Sequence, residues 1–396
     1  MRVLHTSDWH LGHEMHTYKR HDEFDDFFRQ LTAIVGRHQP DVLLVSGDVY
    51  HSAVPSTATQ TMYTEAMLAL HEACPTMEVI VTAGNHDSAS RLEVDRSLWR
   101  HFKVHVVGGI PRTSEGTAFD SLIFHIAGKG IVAAVPHVFR QNFPPPADGS
   151  ADRQKAFYQG LLNRVGEVNA DRLPVVLMAH LAVSDILSGR QPYEAGGQDY
   201  LPLSVLGEGY DYAALGHLHS PHEVPSGNPH VRYAGAPLAI TFNEEYEHSV
   251  TLVEVQAGTA PVVEVLPLSL LRPVKTIPEE AVAFEDALAA LAALPDDDPC
   301  YIRLNVRTTL GLPPDASEQA LRVTHGKACR FCTFRIVDER RPGVSRESVD
   351  ITPDEFRQMD PLEITRRYLL QRGLPTEEFM EMMQQTLNMI EEEKAR

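Results

Sequence analysis

Aspartate, asparagine and histidine residues gather in five short clusters of this chain: Asp8-Trp9-His10, Gly47-Asp48-Val49-Tyr50-His51, Gly84-Asn85-His86-Asp87, His180, and Gly216-His217-Leu218-His219. Asp8, His10, Asp48, Asn85, His180, His217 and His219 together supply two carboxylates, an amide and four imidazoles. This mixed nitrogen and oxygen donor set, without thiolate, suits Mn²⁺, Fe or Zn²⁺ better than Mg²⁺ or Ca²⁺. Such a set can hold two ions about 3.5–4 Å apart, bridged by one carboxylate, with a water between them made nucleophilic at neutral pH. The chemistry expected is hydrolysis of a phosphoester. Each cluster alone has a plainer reading, because an Asp after a strand commonly caps a helix or forms a turn and a single His is usually solvated or satisfied. Asp87 is read that way, as a cap for the segment from Ser88 onward, and His13, His16, His21, His38 and His248 are given no role. Five separate clusters of metal-competent residues, two of them with i, i+2 pairs, favour a real metal site over coincidence.

Each cluster follows directly on an apolar run, so all five are expected at the carboxyl ends of strands, the edge where α/β sheets place ligands. The runs are Val3-Leu4, Val42 to Val45, Val79 to Thr82, Val175 to Met178 and Tyr212 to Leu215, with a further run at Ile131 to Val135. Helical stretches separate them, the pattern of a layered α/β domain. Val231-Arg232-Tyr233 and Ser249 to Val255 are expected to complete a second sheet. In extended chain, residues i and i+2 face the same way, so Asp8 with His10 and His217 with His219 can converge. Glycines 47, 84 and 216 sit where the chain must turn and where backbone must approach ions or substrate.

The length of 396 residues predicts a large catalytic domain with a smaller companion. A net charge of −19 argues against a surface that attracts nucleic acid everywhere, although bound cations can reverse the local field of an acidic site. The start lacks a secretory pattern, no apolar run is long enough for a membrane span, and four cysteines fit a reducing cytoplasm. Cys329 and Cys332 have metal-site spacing but no second pair, and are read as buried structure with zinc as the alternative. Pro144 to Ser150 reads as an exposed loop. A break near Leu266-Pro267 precedes a small α/β unit: helix Phe284 to Leu294, strand Tyr301 to Arg307, helix Ser317 to Thr324 and strand Arg330 to Val337. Past Pro342-Gly343 the chain is read as helical. Phe379, Met383, Leu387 and Ile390 recur there as an apolar stripe, which either packs on its own domain or docks another protein; four methionines tilt the reading toward docking.

At Asp8-x-His10, Gly47-Asp48, Gly84-Asn85-His86-Asp87, His180 and Gly216-His217-x-His219 the sequence resembles the calcineurin-like metallophosphoesterases, with no core position departing. Within them, His5 to Gly12, His51 after Asp48, Gly84 to Leu92 and Ala214 to His219 closely resemble the SbcD family, the nuclease subunits of bacterial double-strand-break repair complexes. Tyr233 to Leu238 and Ser249 to Glu254 extend the likeness over nearly the whole first domain. The fold implied is two sheets flanked by helices, with a small α/β capping domain and C-terminal helices. The boundaries expected are 1–266 for the nuclease domain, 267–345 for the DNA-binding cap and 346–396 for helices that dock an SMC-like ATPase partner.

By the resemblance, one ion is held by Asp8, His10, Asp48 and His219, and the second by Asp48, Asn85, His180 and His217, with Asp48 as the bridge. Mn²⁺ is the implied metal, with Fe, Zn²⁺ or Mg²⁺ as alternatives. His86 protonates the leaving oxygen or stabilises the pentacovalent phosphorus, and His51 faces the substrate phosphate. Arg91, Arg96, Arg100 and Lys103 either grip the DNA backbone or form a solvated basic face. The resemblance also implies DNA as substrate, an SbcC-like ATPase as partner and a homodimer through the nuclease domain, with no membrane association and a cytoplasmic, nucleoid-associated location. The activity implied is Mn²⁺-dependent 3′–5′ exonuclease cleavage of duplex DNA and endonuclease cleavage of single strands and hairpins, in repair, recombination and replication. Two other classes stand beside it. One is a small-molecule phosphatase or cyclic-nucleotide phosphodiesterase, which has no evident need of the chain beyond residue 267; the other is a DNA-tethering scaffold, against which the complete ligand set argues.

Overall fold

In the computed structural model, residues 1–113, 116–139, 142–145, 152–184, 200–338 and 345–347 are described. The chain opens with four parallel strands, β1 (Arg2–Thr6), β2 (Val42–Ser46), β3 (Glu78–Thr82) and β4 (Val104–Val107), joined by α1 (His21–His38), α2 (Thr57–Ala73) and two single-turn helices, α3 (Ala89–Leu92) and α4 (Arg96–Trp99). A second sheet follows. Its strands are β5 (Ile123–Ile126), β6 (Gly130–Ala134), β7 (Val175–His180), β8 (Tyr212–Gly216), β9 (His222–Glu223) and β10 (Val231–Tyr233), in spatial order β9-β10-β8-β7-β6-β5, with α5 (Arg153–Val168) between β6 and β7. Its inner strands β6, β7, β8 and β10 are parallel, with β5 and β9 antiparallel at the edges.

The chain then returns to the first sheet with β11 (Ser249–Glu254) and β12 (Val262–Pro267), giving the order β12-β11-β1-β2-β3-β4. This corrects the expectation that Ser249 to Val255 completes the second sheet. β11 pairs antiparallel with the open edge of β1, matching Val3 with Val253 and His5 with Thr251. Its alternate side chains serve both faces: Val253 joins the core between the sheets, while Val250 and Leu252 join the core under the helices.

The same alternation explains the layering. Val42 and Leu44 of β2 pack toward the second sheet with Val176, Met178, Ala213 and Leu215, whereas Leu43 and Val45 pack with Phe24, Phe27 and Leu31 of α1 and Met67 and Leu70 of α2. α5 contributes Phe157, Leu161 and Val165 to the first of these clusters. A core side chain such as Leu44, fully buried, is worth about 2–5 kcal/mol against truncation to Ala. Both cores are built from buried apolar side chains that flank the strands on either face.

The chain divides into two compact units within β13 (Val274–Val282), between Lys275 and Thr276. In the second unit, β13, β14 (Tyr301–Thr308), β15 (Arg330–Asp338) and β16 (Ser345–Glu347) form a four-stranded sheet in that order, with α6 (Phe284–Ala292) and α7 (Ala316–Thr324) intervening in sequence. Phe284, Leu291, Leu304, Phe331 and Phe334 are buried in it. Lys327 closes α6 by donating to Ala292 O and Leu294 O at 3.1 and 2.7 Å, where a cation suits the helix carboxyl end. Cys329 is buried and Cys332 is a half-buried member of β15. The apolar stripe from Phe379 to Ile390 and most of the loop from Pro144 to Ser150 lie outside the described residues. Among the described residues no helix is long and apolar enough to cross a membrane.

Candidate metal centre

The segments after β1 and β2 are laced together by backbone hydrogen bonds: Asp8 N–H to Gly47 O at 3.0 Å, His10 N–H to Asp48 O at 2.9 Å and Leu11 N–H to Val49 O at 2.9 Å. Asp8, His10 and Asp48 have φ of 52°, 47° and 51°, and His217 has φ of 99°. The i, i+2 convergence therefore arises from left-handed turns and not from the extended chain expected. Such conformations cost about 1–3 kcal/mol each and persist only where the surroundings over-determine them. Trp9 is part of that restraint: fully buried, it packs edge-on against Phe27 and Phe28 and donates Nε1–H to Thr6 Oγ1 at 3.0 Å.

Seven side chains meet at this edge. Asp8 accepts the His217 N–H at 3.1 Å and the Ser7 hydroxyl. His10 Nε2 and His219 Nε2 stand 3.2 Å apart. Asp48 Oδ1 accepts the His86 N–H at 2.9 Å, and its Oδ2 lies 3.6 Å from His10 Nε2 and 3.4 Å from His180 Nε2, between the two halves of the cluster. Asn85 Oδ1 is 3.0 Å from both His180 Nε2 and His217 Nδ1, and His180 Nδ1–H donates to Ser46 O at 2.8 Å. At Gly84 a Cβ would stand 2.1 Å from Asp48 Oδ1, so no side chain fits there.

Burial and mutual charge set the protonation of the cluster. Burial raises the Asp8 pKa against the opposing pull of His180 and His219. Burial also disfavours charge on Asp48, yet His180 and His86 hold its carboxyl well below the usual range. His180 is desolvated, but Asp48 lifts its pKa to about 9; His219 is likewise lifted to about 9, mainly by Glu244. His10 goes the other way, with burial lowering it well below the ordinary value.

Donor atoms of Asp8, His10 and His219 lie within 4.8 Å of one another, as do those of Asp8, Asp48 and His180. Among the described residues, His10 Nδ1 is buried with no hydrogen-bond partner. Carboxylate oxygens and imidazole nitrogens this close together form a donor set that fits divalent cations.

At the rim, His86 Nδ1–H donates to His51 O at 3.0 Å and the two rings stack at 5.7 Å. His10 lies 4.8 Å from the His86 ring and 5.6 Å from that of His51. Arg91, Arg96, Arg100 and Lys103 are not among the residues that converge. Arg96 and Arg100 line a groove of about 400 Å³ with His105 and Asp120, and Lys103 precedes β4, at the sheet edge opposite the cluster, where it donates to Thr76 O at 3.2 Å.

Asp87 is not the helix cap that its position suggested. Its carboxylate accepts N–H groups of Gly84, Tyr50 and Val49 at 2.8, 2.9 and 3.0 Å, tying the loop after β2 to the loop after β3. Burial, with the charge of Asp48, pushes its pKa up to about 6. Two contributors were missed from sequence. Glu244 accepts His219 Nδ1–H at 3.0 Å, yet it lies in a turn and not at a strand end that would mark it. His13, given no role, is buried against His51 at 4.8 Å and accepts from Arg20 Nη1 at 3.1 Å.

Residues 1–221 match the calcineurin-like phosphoesterase family. The SbcD protein of the SbcCD nuclease from Rhodobacter capsulatus is 33% identical over 75% of this chain and 77% of its own length. Its counterparts from Bacillus subtilis and Escherichia coli are 28% and 27% identical, over 65% and 78% of this chain and 67% and 78% of their own lengths. Phosphoesterase chemistry with divalent metal ions is the family's property, and all seven residues of the cluster, from Asp8 to His219, fall inside the matched segment. On these grounds the chain belongs to the SbcD family of calcineurin-like phosphoesterases.

Proposed function

We propose that this chain is the nuclease component of an SbcC–SbcD-type complex and hydrolyses DNA phosphodiesters with two divalent cations, Mn²⁺ foremost. The observation that carries the reading is Asp48 Oδ2, which lies 3.6 Å from His10 Nε2 and 3.4 Å from His180 Nε2, so that one carboxylate oxygen faces a ligand from each of the two proposed sets. Asp8, His10, Asp48 and His219 would hold one cation; Asp48, Asn85, His180 and His217 would hold the other. When bound, the cations supply Lewis acidity to the phosphoryl oxygens and an activated water. His86 supplies the proton for the leaving oxygen: its Nδ1–H is engaged by His51 O, so Nε2 is the atom left to exchange it. His51, stacked on His86, shapes the face that meets the phosphate.

The substrate is duplex DNA attacked from 3′ ends, together with single-stranded and hairpin DNA. The three relatives are components of nucleases, which supports DNA over a small phosphoester. Residues 267–345 act as a DNA-binding cap, residues 346–396 dock the SbcC-like ATPase, and the nuclease domain 1–266 pairs with a second copy. Arg91, Arg96 and Arg100 are offered to the DNA backbone. Release of nucleotides from linear duplex DNA with Mn²⁺, measured beside hydrolysis of a cyclic nucleotide and p-nitrophenyl phosphate, tests the reading. Cleavage of the small esters without the duplex would replace it with a small-molecule phosphodiesterase.

A further inference from the structure

We propose that Glu244 is a positioning residue that selects which nitrogen His219 offers to its cation, and so controls one of the two cation sites without touching the other; the inference rests on the metal assignment proposed above. Glu244 is buried in a turn between β10 and β11, closed by its own N–H to Thr241 O at 3.3 Å. Both carboxylate oxygens are engaged. Oε2 accepts the Ile240 N–H at 2.9 Å, and Oε1 meets His219 Nδ1 at 3.0 Å and the Thr241 hydroxyl at 3.2 Å.

The directions of these bonds are fixed by chemistry. A backbone N–H only donates and a carboxylate only accepts, so His219 Nδ1 must carry a proton. That leaves the Nε2 lone pair as the one available to a cation, and Nε2 is the atom that faces His10 Nε2 at 3.2 Å. The turn cannot easily shift to accommodate another group. The same peptide unit whose N–H reaches Glu244 has its carbonyl, Ala239 O, held at 2.6 Å by Arg20, itself buried and paired with Glu23 at 2.8 Å.

Glutamine cannot do the same work. If its single oxygen accepts from Ile240 N–H, its NH₂ faces His219 Nδ1, which must then accept, and the ring proton moves to Nε2, where the cation belongs. If instead the oxygen serves His219, the NH₂ opposes the Ile240 N–H. Either way Glu244→Gln should resemble Glu244→Ala at this site, although it preserves size and polarity. His180, Asn85 and His217 have their own partners, namely Ser46 O and one another, so their half is left intact.

The test is calorimetric titration of Mn²⁺ into metal-free full-length wild type, Glu244→Gln and Glu244→Ala, with melting temperatures recorded beside it. Wild type should take up two equivalents, and both variants should keep one at wild-type affinity while the other weakens by about 10–100-fold. Three results overturn the inference alone: two Mn²⁺ bound alike by wild type and variants, full affinity restored by Gln but not by Ala, or both sites weakened equally together with a fallen melting temperature. A wild type that takes up no Mn²⁺ overturns the metal assignment, and this inference with it.

Discussion

His10 and His219 turn their Nε2 atoms toward one another across 3.2 Å, although they come from strand ends on different sheets. Two nitrogens that each have a lone pair to offer gain little from such proximity unless a proton or a cation stands between them. A ligand that binds only the folded state stabilises it by about 4 kcal/mol at a thousandfold excess over its Kd. Chelation should therefore lower the melting temperature and Mn²⁺ should restore it. An unchanged melting curve with and without Mn²⁺ would reject the centre.

His86 lies at the rim with its Nδ1–H given to His51 O. His86→Ala should bind both cations as wild type does and lose about 10²–10⁴ in DNA cleavage, the usual worth of a positioned acid. His10→Ala, by contrast, should lose metal. Parallel metal analysis and cleavage assays separate the two, and loss of metal from His86→Ala would remove it from the acid's role.

Asp87 gathers three backbone N–H groups from two loops. Asp87→Ala strands those donors, and hydrogen bonds to a charged group are worth about 1.5–3 kcal/mol apiece. Urea denaturation should show a loss of at least about 3 kcal/mol, accompanied by weaker Mn²⁺ binding because Asp48 and Asn85 lose their register. A variant as stable as wild type would reduce Asp87 to a bystander.

His5 makes the fold sensitive to acid. It is fully buried beside Tyr212 Oη at 3.0 Å, and burial, with the charge of Arg232, lowers its pKa from 6.5 to about 3. The unfolded chain thus binds a proton near pH 6.5 that the folded protein refuses until about pH 3. Stability from this residue is complete above pH 6.5 and falls as pH drops toward 3, at about 1.4 kcal/mol per unit, or about 2 kcal/mol by pH 5. His5→Asn should remove that part of the slope between pH 7 and 5 in metal-free urea melts, and identical slopes would refute it.

Deleting residues from 350 onward should leave Mn²⁺-dependent cleavage of simple DNA and abolish assembly with an SbcC-type ATPase. Size-exclusion chromatography reads the outcome, and an unchanged complex would move the docking surface elsewhere.

What could be read from sequence follows from how the ligands are displayed. An apolar β-branched run ending in Asp, Asn or His is a local pattern, and so Asp8, Asp48, Asn85, His180 and His217 stood out without any knowledge of partners. Glu244 did not, because its value depends on a turn folding back onto His219. Asp87 was misjudged for a related reason: its nearest helix in sequence competed with two amides, those of Val49 and Tyr50, brought near only by sheet pairing. Ser249 to Glu254 shows the same limit at larger scale, since alternation defines a strand but not its neighbour, and β1 had an edge to fill.

The lacing of Asp8 to Gly47 and of His10 to Asp48 is made early in the polypeptide, whereas His180, His217 and His219 are supplied by the second sheet. A ribosome emits the amino terminus first, and domains generally fold as units. A chain that ends before His180 therefore lacks three of the cluster's four imidazoles, and phosphoesterase chemistry becomes available only when the domain is nearly whole.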